Sequence, residues 1–258
     1  MNLGFVHLSF ESALWLGFLL CGVLLVVFRD WRVTLPVLLG DYLLLCVLFS
    51  HLPFIPQNLQ IGHFAVSSFV LVKAITGLTV VGILAVTVAL RRRARLPESE
   101  QPIDEITAAR LRWAARRLAQ TKPGVRSRLS AYLLPFSSLA VLIAATYTLA
   151  MLYPLARTPI LPDSLFWFYV DLIWYWLGFC GLFNMLFAQE VQEVCVGLLL
   201  CISSVDILYT ALSRSVGLLS IGLLSAVSIL LALGSAYLSL LFYLRLQRWQ
   251  LPSAEEWD

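Results

Sequence analysis

Charge is what this sequence has least of. Asp, Glu, Lys and Arg make up 13% of its 258 residues, about half the share of a typical soluble domain. With 60% hydrophobic residues and a mean hydropathy of +0.87, that scarcity excludes an ordinary soluble domain and implies an integral membrane protein. The apolar runs are continuous rather than alternating, so the pattern of a membrane β-barrel is absent as well and a helical bundle is expected. Metal-type cysteine spacing is missing too. Cys21, Cys46, Cys180, Cys195 and Cys201 all lie in apolar segments, with no CxxC motif and no Cys/His cluster. Neither zinc, an iron–sulfur centre nor a disulfide framework is supported, and the five read as small buried hydrophobes. His51 and His63 flank one short loop, but two ligands make no metal site. The chain has no Ser/His/Asp set, paired-carboxylate site or phosphate loop, so neither catalysis nor a cofactor is expected. The first eleven residues hold no Lys or Arg. A secretory signal with a basic start is therefore not expected, and the first span should be retained.

What the chain has instead is a series of apolar stretches, each long enough to cross a bilayer as a helix. They run over Ser12–Phe28, Val33–Leu52, Ile61–Leu90, Leu129–Leu152, Phe166–Phe187, Val191–Leu212 and Val216–Leu244. The fold expected is all-α, a polytopic membrane bundle of about seven transmembrane helices. One residue stands out. Between Ile61 and Leu90, Lys73 is the only acid, lysine or arginine. A charge deep in hydrocarbon costs roughly 2.5–3.5 kcal/mol on insertion scales, and such residues usually face other helices and often do ion or proton work. The plainer alternatives are that Lys73 snorkels to the nearer surface or staples two helices together. The fifth span opens with seven aromatics in FWFYVDLIWYW, which suits an interfacial aromatic belt. Asp171, at the outer mouth of that span, reads as solvated and structural.

Positive charge is concentrated in one place. Residues 91–128 hold eleven of the eighteen Lys and Arg residues, among them Arg91, Arg92, Arg93, Arg95, Arg112, Arg116 and Arg117. Within that loop, Pro102, Asp104 and Glu105 mark a helix start and Pro123-Gly124 a stop. The helix has a partial apolar stripe, so it could lie on anionic lipid headgroups or dock a partner. Lipid phosphate is the nearer anion, and no nucleic-acid partner is expected. With the N-terminus outside, fifteen Lys and Arg residues fall on the cytoplasmic side and only Arg157 and Arg214 outside. The positive-inside rule then gives an N-out, C-in chain with the 91–128 loop in the cytoplasm. Short loops and the lack of targeting signals favour a bacterial cytoplasmic membrane.

The two ends of the chain echo each other. Trp15-Leu16-Gly17-Phe18 recurs as Trp176-Leu177-Gly178-Phe179; each is followed by a Cys-Gly pair, a polar turn and a span with one aspartate, Asp41 or Asp206. This order implies a duplication. The division expected is an N-terminal three-helix unit (1–90), the basic loop (91–128), a connecting helix with an outer loop (129–165) and a C-terminal three-helix unit (166–258).

A three-helix unit with a charged turn after its first helix and an acid within its second resembles the K subunit of respiratory complex I and its Mrp-antiporter counterpart, the C component. The whole chain is similar to component E of hydrogenase-4, through the serine-rich run Ser67–Lys73, the basic turn and Pro at Arg91–Pro97, and the spacing of Gly181 and Gly197. The chain departs from the K subunit in having no acid in its seventh span, and Ile202 falls where a glutamate is expected, one turn before Asp206. Asp41 falls near the expected acid of the first unit. The resemblance implies a non-catalytic membrane-arm subunit of a complex-I-like or group 4 hydrogenase-like redox complex, partnered by antiporter-like subunits and, through the cytoplasmic loop, by a soluble redox module.

Depth decides which charges could meet. At 1.5 Å per residue, Lys73 and Asp206 lie roughly 25 and 22 Å from the cytoplasmic side and Asp41 roughly 12 Å. If the units pack face to face, Lys73 and Asp206 should pair. Lys73, Asp206 and Asp41 are the candidates for a proton or ion path. Two other readings use the same residues. A stand-alone transporter would exploit the repeat, although the paired Gly/Pro interruptions that mark a midplane substrate site are absent. A structural or assembly protein docking a soluble partner would tolerate methionine at Lys73.

Overall fold

The computed structural model describes residues 3–28, 30–52, 59–61, 64–94, 125–155, 164–188, 190–213 and 217–249. Among these residues there are seven helices. They are α1 (Leu3–Val27), α2 (Trp31–His51), α3 (Ser68–Ala94), α4 (Val125–Leu152), α5 (Ser164–Leu186), α6 (Val191–Leu212) and α7 (Leu218–Trp249). Six of them carry stretches long and apolar enough to cross a membrane: Phe10–Val27, Trp31–His51, Ser68–Leu90, Leu165–Leu186, Val191–Leu212 and Leu219–Leu241. At 1.5 Å per residue, the five spans of 21 to 23 residues cover the ~30 Å of bilayer hydrocarbon, and the 18 apolar residues of Phe10–Val27 come close to it. The fourth helix differs. Its apolar part among the described residues, Ser137–Leu152, is shorter than a full span.

One boundary departs from expectation. The third apolar run does not become helical at Ile61. Leu59–Ile61 (β1) and Phe64–Val66 (β2) form an antiparallel ladder, with Ile61 opposite Phe64, and the helix starts only at Ser68. A short apolar run shows no periodicity that separates strand from helix, so this hairpin was hidden inside the hydrophobic stretch. The helix expected within 91–128 lies outside the described residues.

The bundle buries a set of polar residues within an apolar core and turns large apolar side chains outward. Thr34, Asp41, Lys73, Thr76, Ser203, Asp206, Thr210, Ser225 and Ser228 are buried, whereas Leu16, Leu43, Leu78, Val86, Leu223 and Leu230 are exposed. Hydrocarbon is as apolar as leucine, so lipid gives helices little hydrophobic reason to associate; close packing and polar contacts must hold them. The sequence supplies both. A side-chain carbon at Gly181 would lie 2.6 Å from the Gly197 carbonyl oxygen, and one at Gly197 2.7 Å from that of Gly181. The two glycines let α5 and α6 touch backbone to backbone. The space beside Gly77 is likewise filled by Tyr42, whose Cβ and nearest ring atom lie 2.6 and 2.7 Å from where a side-chain carbon would stand. Ser204 adds a hydroxyl bond to the Trp174 carbonyl at 2.7 Å.

Neighbours follow a closed order. α1 packs on α2 and α5, α3 on α2 and α7, and α6 on α5 and α7, while α4 leans on α5 with a lesser contact to α1. The first three helices thus face the last three, α1 against α5 and α3 against α7. Between them the Trp176 indole donates to the Phe18 carbonyl at 3.1 Å and stands edge-on to Trp15. The Trp-Leu-Gly-Phe echoes meet at the junction of the two halves. For two of its seven aromatics this corrects the belt expected of the fifth span. Trp167 and Trp176 are buried with Val170, Ile173, Leu177 and Cys180 in the core, at the three- and four-residue spacing of one helix face.

Candidate functional site

Lys73 sits in the second turn of α3, directly after the chain leaves the hairpin. Phe69, Lys73, Thr76, Val80, Leu84 and Thr87 are all buried and repeat every three or four residues, so they share the inward face of α3. On α6 the same spacing places Ser203, Asp206 and Thr210 inward. The Lys73 ammonium donates to Asp206 Oδ2, a buried salt bridge between the two halves of the chain. The side chains are 1% and 3% exposed, so Lys73 does not snorkel. Breaking such a pair by removing one partner costs about 3–5 kcal/mol because the other charge stays buried alone.

The pair is not saturated. Asp206 Oδ1 has no hydrogen-bond partner among the described residues, although the backbone oxygen of Asp206 accepts from the Thr210 hydroxyl at 2.6 Å. Asp41 is more isolated still. It is fully buried, and neither carboxyl oxygen finds a donor among the described residues. Cys21 of α1, Cys180 of α5 and Tyr42 of α2 stand within its electrostatic reach. Buried polar groups are normally bonded, and an isolated buried carboxylate is far costlier than an unpaired neutral group. Such a group calls for a proton, a water or a cation.

Tyr42 links the two sites. Its ring packs on Gly77 of α3, its hydroxyl faces Ser228 of α7 without a bond of normal geometry, and it lies in the field of both Asp41 and Asp206. Sequence reasoning missed Tyr42 and Ser228, and their only signal was adjacency to Asp41 and a place on a polar stripe of α7. Asp171 also departs from expectation. It is buried rather than solvated, within the wholly buried stretch Val170–Ile173 of α5, and its Oδ1 accepts from the Trp174 indole at 2.9 Å. The five cysteines are free thiols, three buried and two half-buried. No group of three His, Cys, Asp or Glu residues that could hold a metal ion occurs among the described residues. Arg91, Arg92 and Arg93 belong to the last turns of α3, whereas Arg95, Arg112, Arg116 and Arg117 lie outside the described residues.

Fold and site together define a class: a polytopic helical membrane protein with a buried lysine–aspartate pair and a second, unpaired buried acid. Comparison of the chain with protein-family models, curated proteins and solved structures found no match in any of the three.

Proposed function

We propose that this chain is a non-catalytic membrane-arm subunit of a complex-I-like or group 4 hydrogenase-like redox complex, in which Lys73, Asp206 and Asp41 carry protons or ions. The observation that carries the reading is the Lys73–Asp206 pair joining α3 to α6, with Asp41 buried and unpartnered. A lysine can relay protons only if it switches between charged and neutral forms, and moving the partner carboxylate towards or away from it would drive that switch. Asp41 then supplies a second acceptor, with Tyr42 between the two. Ionisable groups inside membranes are functional by default because they are expensive to keep there.

The same reading takes α4 as the seventh span, places the chain N-out and C-in, treats α1–α3 and α5–α7 as a duplicated unit, and puts the basic loop on the cytoplasmic side of a bacterial cytoplasmic membrane. There the loop meets anionic lipid and a soluble redox module, while the lipid-facing helices meet antiporter-like subunits. The paired halves also suit a parallel-repeat transporter, but α3 and α6 run unbroken past Lys73 and Asp206, unlike the interrupted helices of midplane substrate sites.

Extraction of the native membrane in mild detergent, followed by mass spectrometry of what travels with this chain, is the test. Co-migration with antiporter-like subunits and an iron–sulfur or hydrogenase module is the expected result. A chain that travels alone discards the subunit reading in favour of a transporter; one with a single soluble partner points to an assembly role.

A further inference from the structure

A cleft opens where the two aspartate-bearing helices begin. Phe28 at the end of α1, Trp31 and Thr34 of α2, Asn184 of α5 and Glu193 of α6 line it. The end of the bundle that holds it also carries Asp30 and Arg32. One polar atom of its lining, and two of a residue next to the lining in the chain, have no hydrogen-bond partner among the described residues. They are Asn184 Nδ2 and both polar atoms of Gln192, which is 1% exposed and adjoins Glu193 in the chain. Buried amides in this condition are ordinarily satisfied by water.

From the cleft, one helix face leads inward. Thr34, Leu38 and Asp41 are all buried on α2, spaced four and three residues apart, so they stack along one side of the helix with a rise of about 10 Å from the first to the last. On that face of α2, Leu38, 1% exposed in the core, lies between Thr34 at the cleft and the unpartnered carboxyl of Asp41. The groups around Asp41 are the Cys21 thiol from α1, the Cys180 thiol from α5 and the Tyr42 hydroxyl, with the Asp206–Lys73 pair beyond Tyr42. None of them donates to it.

We propose that this cleft is the aqueous mouth through which Asp41 exchanges protons with the basic side of the membrane, and that Leu38 is the plug between them. Asp41 is thereby the station for that side, and the Lys73–Asp206 pair lies further in. The inference rests on the proposed role of Asp41 in ion movement. Its test reads whether a polar reagent entering through the cleft reaches the carboxyl, so it succeeds or fails separately from membership of a larger complex.

The probe is a water-soluble cationic carbodiimide, added to sealed vesicles of each orientation containing the unaltered chain, with adducts located by mass spectrometry. The carboxyl O–H adds across one C=N bond, and the O-acylisourea rearranges to an N-acylurea. The whole reagent is retained and no co-reactant is needed. Asp41 is expected to carry the adduct only when the basic face meets the reagent, and Asp206, held by Lys73, is expected to stay unmodified. Leu38→Ala is expected to raise the Asp41 yield several-fold. Because that variant opens the core, Thr34→Trp is the second arm: it fills the mouth and is expected to protect Asp41. An Asp41 that stays unmodified from both faces, or is modified only from the opposite face, overturns the proposal. So does a yield indifferent to both substitutions in chains that still elute as folded protein.

Discussion

The first three helices and the last three share a sequence order and differ in electrostatics. Each set has a Trp-Leu-Gly-Phe helix followed by a helix with one buried aspartate, yet Asp206 of the second half is paired and Asp41 of the first is not. The difference comes from the third helices. α3 carries Lys73 on its inward face, whereas the polar residues buried on α7 are Ser225, Ser228 and Ser235. A serine can offer a hydrogen bond but no charge, so one acid is neutralised across the halves and its counterpart is left to protons or water. The two aspartates thus differ, one held in an ion pair and the other without a hydrogen-bond partner among the described residues.

The largest way to break this comparison is to make the two aspartates alike. Lys73→Met leaves Asp206 buried without its cation and should cost about 3–5 kcal/mol, read as a lowered unfolding midpoint in detergent. Adding Asp206→Asn should recover most of that loss, since the cost is an uncompensated charge rather than a missing contact. An unchanged midpoint in Lys73→Met would mean that the pair does not hold the halves together.

Packing gives the next effect. Gly181→Ala drives a methyl against the Gly197 carbonyl and the Cys201 sulfur, and separating α5 from α6 should cost roughly 1–3 kcal/mol. Gly82, with nothing within 4 Å of an added side-chain carbon, is the control. Its change to alanine should be neutral or slightly stabilising in the same unfolding assay. Trp176→Phe tests the seam between the halves. It keeps most of the ring and loses the indole bond to Phe18, for about 1 kcal/mol.

The smallest effect on stability should come from Asp41→Asn. This change removes a buried carboxyl that has no donor, so the unfolding midpoint should hold or rise, whereas ion flux or redox coupling in reconstituted vesicles should fall steeply. A destabilised Asp41→Asn with intact flux would reverse the roles assigned to the two acids.

Much of the bundle was legible beforehand, and for identifiable reasons. That Lys73 and Asp206 share a level was readable from depth, because helical rise converts residue number into position along the span; that they pair was expected only on the condition that the two halves face each other. What depth does not give is azimuth. Asp171 was expected in solvent and lies buried beside Trp174, and Trp167 and Trp176 were expected at the lipid interface and fill the core. An aromatic-rich helix in a membrane is apolar on every side, so its sequence does not mark which face turns inward. The hairpin at 59–66 escaped for a related reason, since continuous hydrophobicity erases the period that separates strand from helix.

The sequence by itself determined the solvent and the long helices. Long apolar runs with scarce charge can satisfy their backbone in lipid only as helices, and the few buried charges were conspicuous against that background. The tertiary structure alone decided which charge has a partner. Whether Asp41 meets a cation, a serine or nothing depends on how α2 and α6 are rotated and on what α3 and α7 bring to the shared interior. Those orientations are set by contacts such as Gly181 on Gly197 and Tyr42 on Gly77, which join residues far apart in the chain.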